Sequence, residues 1–125
     1  MQNVKGVTCD SRKVKPGYIF VAVQGLNDDG NNYIDEAINN GAELIITEKK
    51  QKFTKNKDIP FLIVNDARKY LAKLSADFYK NPSNQLNVIG VTGTNGKTTT
   101  THLIYNLLKH SNKKAGIIGT VNVDT

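Results

Sequence analysis

Residues 88–104 read VIGVTGTNGKTTTTHLI, and no other stretch restricts the fold as much. An apolar run of strand length enters a segment with glycine at 90, 93 and 96. It leaves on residues whose apolar members, Leu103, Ile104, Leu107 and Leu108, recur at helical spacing. A buried strand, a tight glycine turn and an amphipathic helix, in that order, open an α/β unit.

The glycine segment also has a chemistry. The common phosphate loop is G-x-x-x-x-G-K-[ST]. Here Gly96-Lys97-Thr98 supplies its end, but Val91 stands where the first glycine belongs, with Gly90 one residue too early and Gly93 two too late. The pattern is therefore G-x-x-G-x-x-G-K-T. Glycines let backbone N–H groups turn toward an anion, and the helix that follows adds unpaired N–H groups and the positive end of its dipole. Gly93, Gly96 and Lys97 are the candidate phosphate ligands, with Thr94, Asn95 and Thr99 near enough to assist. Lys97 is the candidate catalytic cation for the β- and γ-phosphates, and the Thr98 hydroxyl the candidate Mg²⁺ ligand. The competing interpretation is a glycine-rich turn with an exposed lysine. Strand, three glycines, Gly-Lys-Thr and helix together favour nucleotide binding, while kinases, motors, GTPases and ligases all remain open.

Upstream, residues 4–9 and Tyr18–Val23 read as strands joined by a turn at Pro16-Gly17, followed by a polar loop, QGLNDDGNN. YIDEAINN is a helix with Asp35 and Glu36 where the dipole favours acids, and Gly41 ends it. AELIITE and IPFLIVN are strands. Asn65 is a candidate cap for a helix whose Ala67, Tyr70, Leu71, Leu74 and Phe78 share one face. NPSN at 81–84 stops that helix and marks the boundary between a first domain, 1–85, and a second, 86–125. The expected fold is α/β: a small mixed sheet with helices, then the first βαβ unit of a phosphate-loop ATPase domain, 115–121 supplying its second strand. One such unit leaves sheet faces and edges uncovered, so self-association is an expectation.

Composition excludes several classes. With 38% hydrophobic and 22% charged residues the chain is globular. Its apolar runs fall short of the ~20 residues of a membrane span, and MQNVKGVTCD is no signal peptide. A single cysteine, Cys9, rules out an internal disulfide and fits the cytoplasm. The net charge of +6 admits nucleic acid as a partner, with KKQKFTKNK at 49–57 as its site, but a solvated loop and a phosphate ligand explain the same balance. His102 and His110 stand too far apart on the last helix to share a metal.

GVTGTNGKTTT closely resembles the nucleotide loop of the Mur ligases, ATP-dependent amide ligases of peptidoglycan precursor synthesis, whose TGTNGK core folylpolyglutamate synthetases share. TCDSRKVKPGYIFVAVQGLNDDGNNYIDEAINNGAELII is similar to the UDP-sugar-binding first domain of the MurE and MurF types, and ADFYKNPSNQLNVIGVTGTNGKTTTTHLI is more similar to the MurE type. The resemblance covers practically the whole chain. It implies a ligase of cell wall biogenesis, and so of cell shape and division, that adds a diamino acid to UDP-N-acetylmuramoyl-L-alanyl-D-glutamate with ATP and Mg²⁺ through an acyl phosphate. It also implies that Ser11 binds the UDP-linked substrate with Cys9 as an apolar neighbour, and that Leu26, Asn27 and Asp28 form a second substrate stretch. Some relatives have histidine at position 26, so the contact of Leu26 is through backbone or packing. From the residues alone the favoured reading of Ser11 is a turn residue beside Asp10, and Asp10 and Arg12 are equally a structural pair.

Since Mur ligases have three domains, the resemblance makes this chain an N-terminal fragment, expected to be inactive alone. The alternatives are a stand-alone module binding UDP-sugar or nucleotide, and a fragment of a MurF-type ligase.

Overall fold

The computed structural model describes residues 4–49, 59–119 and 123–124, which divide into two compact units, Met1–Gln85 and Leu86–Thr125. In the first, β1 (Gly6–Thr8), β2 (Tyr18–Val21), β3 (Ala42–Thr47) and β4 (Phe61–Ile63) form one sheet in chain order. Every neighbouring pair is parallel. The α/β class is as expected, but the sheet is parallel throughout instead of mixed. Residues 9–17 cause this. A 3₁₀ turn at Ser11–Lys13 carries the chain back over one face, where Val14 is buried. Gly17 then turns it at φ 90°, with Tyr18 N–H donating to Lys15 O, and Tyr18 lands opposite Gly6.

Two apolar clusters cover the sheet. Phe20 and Ala22 point toward α1 (Ile34–Asn39) and pack with its Ile34, Ala37 and Ile38. Ile19 and Val21 point the other way and pack with Ala67 and Leu74 of α2 (Ala67–Phe78). β2 and β3 are buried on both faces, which is why IFVA and LII are nearly continuous apolar runs. The register between them slips by one residue at Glu43, so that Tyr18 pairs with Ala42 but Ile19 with Leu44. The slip puts Ala42 in the α1 cluster and Leu44 against the α2 cluster, whereas strict alternation would put both on one face. Phe20, Ile34 and Ile45 lie wholly out of water, each worth about 1.5–3 kcal/mol of transfer free energy.

The helix ends follow their local chemistry. α1 carries Asp35 and Glu36 in its first turn and ends at Gly41, φ 99°, whose N–H donates to Ile38 O. The cap of α2 is Asp66, not Asn65: its extended backbone lets the carboxylate accept from Lys69 N–H at 2.8 Å. Glu48, from the end of β3, accepts from Ala67 N–H at 2.7 Å, so a second acid serves the same helix start.

The second unit holds α3 (Lys97–His110), β5 (Ile117–Ile118) and β6 (Val123–Asp124), the two strands antiparallel. Residues 88–92, expected as a strand, join no ladder. A strand exists through its neighbour's hydrogen bonds, and β5 pairs with the adjacent β6 instead of with them. α3 buries none of its residues, and Leu103 and Leu107 remain 60% and 68% exposed. Residues 50–57 of the basic run lie outside the described residues.

Candidate functional site

The carboxyl ends of β1 and β2 open onto a groove of about 610 Å³, the place where open parallel sheets bind ligands. One wall is the turn after β1, with Cys9, Ser11 and Arg12. Facing it stand Asp28 from the loop after β2, Tyr33 from the segment leading into α1 and Glu36 from the first turn of α1. A second hollow of about 310 Å³ adjoins it within the loop and is lined by Leu26, Asn27 and Asp28.

The turn is built by Asp10. Its carboxylate accepts from Arg12 N–H at 3.2 Å, and from Arg12 Nε and Nη2 at 2.8 and 2.9 Å in a two-pronged pair. The Arg12 guanidinium thereby holds the Asp10 carboxyl below its ordinary range, and Asp10 in return raises Arg12. Ser11, inside that turn, is only 6% exposed. Its hydroxyl donates to Glu36 Oε2, and its carbonyl accepts from Asn40 Nδ2 at 2.9 Å.

The loop after β2 is closed by Gly25 N–H on Asp28 O at 2.7 Å and Gly30 N–H on Val23 O at 3.0 Å. A Cβ on Gly30 would stand 2.7 Å from Val23 O, so only glycine permits this closure. Asp28 accepts from the Tyr33 hydroxyl at 2.9 Å, a bond that also raises the pKa of that phenol. Asp29 accepts from Asn31 N–H and Nδ2 and from the Lys49 ammonium, and Asn31 Oδ1 accepts from the fully buried Thr47 hydroxyl at 2.6 Å. Lys49 foremost, then Asn31, drives the Asp29 carboxyl down to about 2.

Of the residues singled out for the UDP-linked substrate, Cys9, Ser11 and Asp28 meet in the groove, Cys9 exposed and Ser11 buried. Leu26 and Asn27 do not reach it. They sit in the adjoining hollow, Leu26 with its side chain entirely in solvent. Glu36 and Tyr33 escaped the sequence: Glu36 satisfies the rule for an acid in a first helical turn, and nothing local links it to Ser11 across 25 residues.

The glycine loop occupies the second unit. Gly93 and Gly96 hold φ of 149° and 75°, conformations that L side chains rarely adopt. Gly96 leads into α3, which starts without a side-chain cap, so the first-turn N–H groups have no side-chain partner there. Lys97 Nζ folds over the loop onto Gly93 O at 2.5 Å and Thr94 O at 3.4 Å. Thr101 donates to Lys97 O and Thr98 O, tightening the first turn. Among the described residues no group of three His, Cys, Asp or Glu could hold a metal, and His110 Nδ1 rests on Asn106 O.

Known proteins share both parts. Residues 3–79 match the family model described as Mur ligase family, catalytic domain. The chain belongs to the Mur ligase family. Residues 91–125 match the Mur ligase middle domain. The UDP-N-acetylmuramoyl-L-alanyl-D-glutamate–2,6-diaminopimelate ligase of Aquifex aeolicus is 46% identical over 121 residues, 97% of this chain and 24% of that protein. Its counterpart in Chlorobaculum tepidum is 50% identical over 117 residues, 94% of this chain and 23% of that one. This Mur ligase chain therefore spans about a quarter of the length of these curated relatives. Among solved structures, the MurF ligase of Thermotoga maritima in complex with ADP aligns with a TM-score of 0.66 and 39% identity, covering 95% of this chain and 26% of that one. A UDP-N-acetylmuramoyl-L-alanyl-D-glutamate–2,6-diaminopimelate ligase aligns with a TM-score of 0.68 and 27% identity, covering 94% and 24%. No helix among the described residues is long and apolar enough to cross a membrane.

Proposed function

We propose that the chain supplies the UDP-substrate groove and the ATP loop of an amide ligase that adds a diamino acid to UDP-N-acetylmuramoyl-L-alanyl-D-glutamate. The observation that carries this is the 40–50% identity, along nearly the whole chain, with ligases of that specificity. The groove at residues 9–36 takes the UDP-linked substrate, and residues 93–99 take ATP.

The loop fits a polyphosphate. A Cβ on Gly96 would meet nothing within 4 Å, the α3 start offers N–H groups, and the Lys97 ammonium is already poised over Gly93 and Thr94. With no acidic cluster among the described residues, Mg²⁺ would be held here by the Thr98 hydroxyl and the phosphates themselves. ATP supplies a phosphoryl group to the substrate carboxylate. The incoming amine then attacks the acyl carbon, the bond to phosphate breaks and inorganic phosphate leaves, and the nitrogen sheds a proton as the amide forms. Lys97 offsets the charge of the transferring group, and the loop backbone holds it in line. In the groove the Asp10–Arg12 pair and the Glu36 and Asn40 contacts fix Ser11 before any ligand arrives, which lowers the ordering cost of binding.

Calorimetric titration of the chain with the UDP-linked muramoyl dipeptide, and separately with Mg-ATP, tests both halves. Ser11→Ala is expected to weaken the first by about three- to tenfold and leave the second unchanged. Lys97→Ala is expected to do the reverse, with a loss of about tenfold or more from a charged contact. Absence of binding of the UDP compound to the folded wild-type chain would refute the groove assignment.

A further inference from the structure

Ser11 is gripped at two points four residues apart in the chain, its hydroxyl on the Glu36 carboxylate of α1 and its carbonyl on the amide of Asn40, which follows the last residue of α1. A serine hydroxyl has one hydrogen to give and two lone pairs to receive with. Glu36 takes the hydrogen, so what Ser11 Oγ retains for the groove is acceptor capacity. The opposite wall adds another acceptor, the Asp28 carboxylate, and the cation of the site, Arg12, already has two N–H groups on Asp10. Walls of this composition complement N–H and O–H groups and leave phosphate or carboxylate oxygens unmatched at Ser11.

We infer that Glu36 is a positioning residue of the groove: by accepting the Ser11 hydroxyl hydrogen, it makes Ser11 Oγ the acceptor for an N–H or O–H of the bound ligand. Such a donor is the imide N–H of a pyrimidine or a hydroxyl of the attached sugar. The inference rests on the groove being the site of a UDP-linked ligand, as proposed above. Without Glu36 the hydroxyl is free to rotate and donate, and the preference for a ligand donor is lost.

The test titrates UDP into the wild-type chain and into Ser11→Ala, Glu36→Ala, Glu36→Gln and the double alanine variant, each checked for folding by circular dichroism. Three analogues follow, methylated at the base N3 or lacking the 2′- or the 3′-hydroxyl. Ser11→Ala and Glu36→Ala are each expected to weaken UDP by about three- to tenfold. The double variant should be no worse than either alone, because both remove one shared interaction. Glu36→Gln, whose amide oxygen still accepts, should stay within about twofold of wild type. One analogue should lose the same factor against wild type and nothing against Ser11→Ala, and which one it is separates imide from sugar as the donor. The analogue series on the wild-type chain stands even if an alanine variant does not fold. Unchanged affinity in folded Glu36→Ala, multiplicative losses in the double variant, or three analogues that all bind wild type like UDP would each overturn the role of Glu36 and leave the groove assignment standing. A wild-type chain that binds neither UDP nor the UDP-linked dipeptide would overturn both.

Discussion

Asp29 does more for the groove than its place in a polar loop suggests. It ties the loop that carries Asp28 to Asn31, through Asn31 to Thr47 in the sheet, and to Lys49 beyond it. Its carboxyl is lowered from 3.8 to about 2, chiefly by the bond from Lys49. A group depressed on folding stabilises the native state fully above its unfolded value, and loses that contribution as pH falls through the folded one. The melting temperature of the wild-type chain should therefore drop between about pH 4 and pH 2 by more than that of Asp29→Asn. The variant should melt lower at pH 7, and the two curves should approach each other near pH 2. Parallel curves across that range would show that Lys49 and Asn31 do not set the ionisation of Asp29. A residue's type was legible in the sequence here and its partners were not. Asp29 read as one more loop acid, because Thr47 and Lys49 come to it only when β3 lies beside β2.

Helix α2 illustrates how local rules and tertiary contacts divide the labour. Its apolar stripe and an acidic or amide cap are sequence properties, and Ala67 and Leu74 do face the sheet. The choice of Asp66 over Asn65 depended on one residue of backbone geometry, and the added bond from Glu48 on the tertiary fold. Asp66→Ala should destabilise the first unit by about 1 kcal/mol, lowering its melting temperature by roughly 4–8 °C for a domain of this size. Asn65→Ala should change it by less, and thermal melts followed by circular dichroism distinguish the two. Equal losses would mean that both residues serve the cap. The sheet shows the opposite balance. Its strands are legible as apolar runs, but their parallel pairing is not, since Pro16-Gly17 looks the same whether it closes a hairpin or ends a crossover.

The two units differ in what they bury. β2 and β3 are covered on both faces, whereas α3 has no buried residue, and the side-chain hydroxyl bonded into its first turn is that of its own Thr101. Isolated helices of this length are marginal in water, so backbone amides of β2 and β3 should exchange with solvent slowest and those of α3 fastest among the regular elements. Residue-resolved hydrogen exchange checks this, and protection of α3 equal to that of β2 would refute it. Local chemistry alone specified most of the elements, the α/β class, the glycine loop and the family resemblance, because periodicity, glycine conformations and the order Gly-Lys-Thr are properties of neighbouring residues. The parallel order of the sheet, the one-residue slip at Glu43, the missing ladder at 88–92 and the grip of Glu36 on Ser11 were decided only in three dimensions. Each depends on which distant segment comes to lie alongside, and the free energy of that choice is spread over packing and hydrogen bonds between residues far apart in the chain.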